Sequence, residues 1–355
     1  MKFFNLDCHI SVIADLKKIF EDLGHEVNSW SVSGHNWVFG REPHSVDVVN
    51  QNTWREMSRE ICDRFYDRYK DELCEYDAFI CTYPPVFSMI YEKFKKPIII
   101  QIPIRYEVPF GQFPSKWEDF NEYLRIGIDD GMIIPVANSE YDKKYFEFFV
   151  GRECILIPSI CEYTNSVWNP IKDTFLYSSR LRIDFNKAIV TNKDSLNAYK
   201  WEEISQYKGI IIIPYNCSTM SIFEYYTSGI PLFCPSEKFM MELYSKYENY
   251  VLCELTWNKT LHYHSGSSID CDRSNDPNRY DDISIMSKWV SYSDFYNKEW
   301  MPHIVYFDSL DDLLDKIRTT DLMDIHLKMM DFNKNRKQNI YSLWKNTIEK
   351  IENEN

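Results

Sequence analysis

The chain has 355 residues, 44% of them apolar, enough to bury the cores of two ordinary domains without disulfides or metals. Only 10 glycines and an aromatic share of 16% exclude collagen-like order and disorder. The formal charge of −14 is shared by two acidic halves, which argues against a protein that coats nucleic acid, so any anionic ligand must be held locally.

The first half alternates strand-like and helix-like segments. Met1–Leu6 predicts a strand. Ser11–Leu23 follows with apolar residues at 12, 13, 16, 19, 20 and 23, a helical spacing, and Gly24 closes that helix as glycine does at C′. His25–Ser31 restarts as a strand, and Trp54–Cys74 reads as a charged amphipathic helix. Tyr76–Tyr83, Lys96–Ile102 and Ile133–Asn138 are short apolar runs bounded by turn residues, with helical stretches near Val86–Phe94 and Trp117–Ile126 between them. Such alternation predicts a parallel, doubly wound sheet.

The pattern then restarts. Cys154–Pro158 reads as a strand and Ser159–Pro170 as an irregular connection. Asp173–Ser178, Lys187–Thr191, Gly209–Pro214, Ile230–Cys234, Tyr250–Cys253 and His303–Phe307 read as strands. Met220–Thr227, Lys238–Glu248 and Ser309–Arg318 read as helices, with two more over residues 321–351. Residues Leu255–Asn297 fit neither period and are expected to form a long loop. No apolar run approaches the ~20 residues of a membrane span. The first residues turn acidic too soon for a signal peptide, and the ten cysteines contain no C-x-x-C pair. We therefore expect a cytosolic protein with reduced thiols.

The most informative stretch is Gly209–Ser236. A buried strand ends at Pro214, a polar turn spans Tyr215–Thr219, and a helix follows. Ser218 and Thr219 are good N-cap residues. Free backbone N–H groups and the helix dipole make such a start an anion site. Ser218, Ser221 and Glu224 are spaced by three and share one helix face. A carboxylate one turn beyond a phosphate site can accept hydrogen bonds from a ribose diol. An ordinary capped helix whose Glu faces solvent fits the same residues.

Phe223-Glu224 followed by Gly229 and Pro231 resembles the nucleotide-sugar motif of GT-B glycosyltransferases. The resemblance implies an α/β fold of two Rossmann-like domains facing across a cleft, with a final helix that returns to the first domain. The implied domains are 1–165 for the acceptor, 166–335 for the nucleotide sugar, and 336–355 for the returning helix. It implies Glu224 for the donor ribose and Ser218, Thr219 and Ser221 for its diphosphate. Many retaining members place a second Glu seven residues upstream, where this chain has Cys217. The stretch from Leu176 to Lys187 is similar to a family segment whose Arg and Lys neutralise the departing diphosphate, which implies Arg180 and Lys187 here. Lys187 stands two residues later than in the family pattern. In the first half, His9 of Asp7-Cys8-His9 occupies the loop where inverting members carry a His base. His35 is a second candidate. Arg105, with Tyr106 and Glu107, follows the strand Ile98–Ile102 and is expected on the acceptor side, as is Asn138-Ser139-Glu140. The chain's aromatic, Cys-bearing character is similar to glycosyltransferases of chlorella viruses, thought to glycosylate their own capsid protein.

Other signals are weaker. No G-x-G-x-x-G and no P-loop occurs. His262 and His264, near Cys253 and Cys271, match no common zinc spacing. Asp270-Cys271-Asp272 is the only Asp-x-Asp, with no strand leading into it, so a metal-independent enzyme is expected. The expected function is transfer from a nucleoside-diphosphate sugar, GDP before UDP, to a glycan or glycoprotein such as a capsid protein. The alternatives are a carbohydrate-binding or virion-associated protein that has lost the chemistry, motivated by Cys217, and a two-carboxylate glycoside hydrolase using Asp129-Asp130 or Asp281-Asp282.

Overall fold

The structure is a computed structural model that describes residues 1–196, 198–257, 273–279 and 282–354. The described chain divides into two compact units. The first holds Met1–Ser159 and the chain's end from Ile340. The second holds the segment starting at Ile160 together with Pro277–Asn339.

The first unit runs β1 (Lys2–Asp7), α1 (Ile10–Asp22), β2 (Glu26–Ser31), α2 (Arg59–Leu73), β3 (Ala78–Cys81), β4 (Ile98–Ile102), α3 (Pro114–Asp129), β5 (Ile133–Ala137), α4 (Glu140–Val150) and β6 (Ile155–Leu156). Among the described residues these strands form a six-stranded sheet in the order β2-β1-β3-β4-β5-β6, and every pairing is parallel. Phe3 lies opposite Val27 on one side and Ala78 on the other. Helices cover both faces of such a sheet, so its strands read as continuous apolar runs. β3 and β4 are buried at every position.

The second unit runs β7 (Phe175–Ser178), β8 (Val190–Asn192), α5 (Trp201–Ile204), β9 (Ile210–Ile212), α6 (Met220–Thr227), β10 (Leu232–Pro235), α7 (Glu237–Tyr247), α8 (Ile283–Val290), β11 (Val305–Phe307) and α9 (Leu310–Thr319). Its sheet order is β11-β10-β9-β7-β8, again wholly parallel. Both units are thus Rossmann-like. In each, the chain leaves its first strand to build one side of the sheet and then returns to build the other. That topological switch lies between β1 and β3, and between β7 and β9. Ligands of open α/β sheets bind at the carboxyl ends of the strands beside such a switch.

Three expectations change. Residues 321–351 form one helix, α10 (Leu322–Glu354), in place of two. The stretch contains no Gly or Pro, and its buried residues Met329, Arg336, Ile340, Trp344, Ile348 and Ile351 continue one stripe. Tyr250–Cys253 does not join the sheet. Leu252 is left-handed, with φ of 48°, and leads into a 3-10 turn over Cys253–Thr256. The expected loop 255–297 contains α8, whose Asp282 caps its first turn.

α10 begins in the second unit, where the Asn333 amide donates to Tyr226 O at 3.0 Å. It ends in the first, where Trp344 packs edge-on to Phe20 at 5.3 Å and the Tyr341 hydroxyl donates to Asp22 at 2.8 Å. Among the described residues no helix is long and apolar enough to cross a membrane.

Candidate functional site

In the second unit, the segments that follow β7 and β9 meet. Arg180 follows β7, and its guanidinium lies 3.8 Å over the ring of Tyr215, which follows β9. Arg180 remains exposed to solvent. The turn between β9 and α6 is laced to the segment after α7. Leu252 N–H donates to Pro214 O at 3.2 Å, and Cys253 N–H to Tyr215 O at 2.6 Å. The fully buried carboxylate of Glu254 accepts the Cys217 N–H at 3.0 Å. Cys217 is itself buried. An acidic side chain therefore does reach this turn, from outside the local motif.

Thr219 is the N-cap of α6, in extended geometry with φ −144° and ψ 125°, but its hydroxyl makes no capping bond. Its Oγ1 is buried without a partner, as is the Asn216 Oδ1 in the same turn. Leaving a buried hydroxyl or amide oxygen unsatisfied costs about 1–3 kcal/mol. Two such atoms beside a helix start mark a place that a hydrogen-bonding ligand would complete. Ser218 is buried in this turn, and Ser221 is half-buried on α6.

One turn further along α6 stands Glu224, half-buried. Its Oε1 accepts a hydrogen bond from the Tyr163 hydroxyl at 2.6 Å. The next residue, Tyr225, takes the Lys193 ammonium on its hydroxyl at 2.7 Å, and that hydroxyl lies 3.4 Å from Ser178 Oγ. Lys193 also sits 4.7 Å over the Tyr199 ring. Sequence reading missed Lys193. Its signal is position: it directly follows the carboxyl end of β8, whereas Lys187 precedes the amino end. Lys187 is exposed and lines a hollow of about 330 Å³ with Tyr177, Asp184, Phe185 and Asn192.

The first unit repeats the arrangement at the switch between β1 and β3. Asp7 ends β1 and is fully buried. Its Oδ1 accepts the His9 N–H at 2.7 Å and the Ser31 hydroxyl at 3.1 Å, while Oδ2 has no partner. Burial pushes this carboxyl up to about 7, against the pull of those two hydrogen bonds. Cys8 N–H donates to Tyr83 O at 2.8 Å, just past β3, and the His9 ring packs edge-on to Tyr83 at 6.0 Å. The surrounding protein, and then the nearby His35, lower the His9 imidazole to about 4. Part of the residue is exposed at the surface, and at the lowered value the imidazole is neutral at pH 7.

The structure therefore brings Asp7, His9 and His35 together. Arg105 lies elsewhere, fully buried in the first unit. Its Nε and Nη2 donate to the Tyr141 hydroxyl at 3.2 and 3.0 Å, and its guanidinium lies 4.7 Å over the Tyr145 ring. Tyr145 in turn donates to Glu107 at 2.9 Å, and Tyr106 to Asn121 at 2.6 Å. These three residues build the interior after β4. Ser139 caps α4 through the Asp142 N–H at 3.0 Å, and Asn138 accepts the Ser159 N–H at 2.7 Å.

His262, His264 and Asp270-Cys271-Asp272 lie outside the described residues. Among the described residues no group of three or more His, Cys, Asp or Glu is placed to hold a metal ion.

No family model and no curated protein matches the sequence. Several solved structures follow a similar chain course. The glycotransferase of kitacinnamycin is 9% identical, with 99% of this chain and 98% of that one covered and a TM-score of 0.47. The spinosyn rhamnosyltransferase SpnG is 8% identical, with 93% and 95% covered and a TM-score of 0.40. The glycosyltransferase VinC, solved in complex with DTDP, is 9% identical, with 99% and 98% covered and a TM-score of 0.38. At these identities no residue of the site is transferred from them.

Proposed function

We propose that the chain is a GT-B-type glycosyltransferase that moves a sugar from a nucleoside-diphosphate sugar to the hydroxyl of a glycan or glycoprotein. The observation that carries this reading is the edge of the second sheet at its topological switch. There an exposed Arg180, a helix start with the unpartnered Thr219 hydroxyl, and Glu224 one turn later follow one another. A diphosphate needs the first two, and a ribose needs the third.

In this reading Ser218, Thr219, Ser221 and the α6 N-terminus take the diphosphate, and Glu224 takes the ribose. The acceptor oxygen attacks the anomeric carbon while the bond from that carbon to the diphosphate oxygen breaks. The bonding pair leaves with the diphosphate. Arg180 and Lys193 supply positive charge where that charge builds, and preset cations act most strongly at such a point. Lys187, which precedes the amino end of β8, is given no part in this step. In the first unit the reading assigns the acceptor's proton to His9, with His35 beside it; its imidazole, held near 4, is neutral at pH 7 but a weaker base than a free histidine. Because the cations and the helix start already neutralise the diphosphate, the reading includes transfer without a divalent metal. GDP is the first nucleotide to try and UDP the second. A capsid glycoprotein is the first acceptor to try, given the resemblance to viral enzymes, and cytoplasm is the expected location.

Thermal shifts with GDP, UDP, ADP and CMP, each with EDTA and with Mg²⁺, test this reading. A nucleotide at 100 times its Kd adds about 2.7 kcal/mol, and each kcal/mol moves Tm by roughly 2–4 °C at this domain size. We expect one base to shift Tm equally with and without metal, and Glu224→Ala to remove most of that shift. An undiminished shift in the variant would mean that the donor does not lie on α6.

A further inference from the structure

We infer that Tyr163 sets how the donor's ribose is read, so that the site recognises one ribose hydroxyl and tolerates a 2′-deoxyribose. The inference rests on the assignment of Glu224 to the ribose and refines it. A carboxylate with both oxygens open can accept two hydroxyls of a diol side by side. Here one oxygen is already engaged, because the Tyr163 hydroxyl donates to Glu224 Oε1 at 2.6 Å. Among the described residues Oε2 accepts no hydrogen bond, so it is the oxygen with both acceptor positions open, while Oε1 already uses one for Tyr163.

The tyrosine is held where it is by its own surroundings. It lies in the short turn Glu162–Thr164, flanked by Cys161 and Asn165, both left-handed with φ of 56° and 46°. Non-glycine residues persist in that region only where the structure around them over-determines it. Two contacts anchor the start of the turn. The Thr227 hydroxyl, on the same helix as Glu224, donates to Ile160 O, and Glu162 pairs with Lys337 at 2.8 Å. The Tyr163 ring also packs edge-on against Trp201 at 5.4 Å. A short bond from a hydroxyl fixed in this way to a carboxylate is charge-assisted, and a neutral sugar hydroxyl does not readily displace it.

The test is a ratio of affinities. Calorimetric titration with GDP and 2′-deoxy-GDP, and with UDP and 2′-deoxy-UDP, is carried out on the full chain and on Tyr163→Phe. Phenylalanine keeps the ring against Trp201 and removes only the hydroxyl, and the variant's Tm confirms its fold. We expect the ribose and deoxyribose forms to bind the parent within about threefold of each other. In Tyr163→Phe the ribose form should gain a preference of about tenfold, the effect of one added hydrogen bond to a charged group. A parent that already prefers ribose by tenfold, or a ratio unchanged by the substitution, overturns the inference and leaves the donor site standing. A parent that binds none of the four nucleotides overturns the donor reading itself, and the inference with it.

Discussion

Asp7 shows how far position can change a residue. In water its carboxyl ionises near pH 4, but at the end of β1 burial raises it to about 7. A carboxyl whose folded pKa lies above its unfolded value favours the folded state while protonated. That contribution is fully present below about pH 4 and is lost as the pH rises through 7. Asp7→Asn keeps an acceptor for Ser31 and the His9 N–H and has no charge to bury. It should match the parent near pH 3 and exceed its stability at pH 8 by up to a few kcal/mol. Urea unfolding at the two pH values measures this, and a difference that ignores pH would contradict the assigned burial. Among single residues, the place of Glu224 on a helix that follows a polar turn was legible in the sequence. Tyr163 was not, because its hydroxyl arrives from 61 residues away. The buried state of Arg105 was equally hidden, since a cation after a strand reads as a ligand-binding group until its aromatic partners Tyr141 and Tyr145 are seen around it.

At the scale of elements, α6 depends on how it ends. Gly229 follows it with φ of 69°, and its carbonyl lies 2.7 Å from His326 Nδ1 on α10. A methyl group there would come within 2.6 Å of Met330 Sδ and 2.8 Å of His326 Nδ1. Gly229→Ala adds the left-handed penalty to that crowding and should cost about 2 kcal/mol or more. A urea midpoint equal to the parent's would remove this role from Gly229. α6 itself was legible because its apolar residues, its turn and its closing glycine agree. The segment after α7 was misread as a strand because Val251 and Leu252 are apolar. Both are fully buried, but the Leu252 and Cys253 N–H groups go to the β9–α6 turn in place of a sheet.

For the whole molecule, α10 belongs to both units. Trp344 is 1% exposed and packs against Phe20 of α1. Trp344→Ala should cost about 3–5 kcal/mol and lower the melting of the first unit by roughly 10 °C, with a smaller effect on the second. Scanning calorimetry resolves the two, and a Tm shift confined to the second unit would show that the helix end does not stabilise the first.

The alternation of strand and helix, the restart that makes two parallel sheets, and the turn–helix–carboxylate pattern around Glu224 can all be read from the order of residues. These are local facts, written in periodicity and in turn residues that need no distant partner. Tertiary structure alone decided the strand orders and therefore where each topological switch falls. It also decided which charges stay exposed at that edge and which are buried, and which groups reach the β9–α6 turn and α6 from elsewhere: Lys193 from just past β8, Glu254 from beyond α7, and Tyr163 from the segment before β7. Contacts between residues far apart in the chain depend on how the elements pack, and no local pattern encodes that.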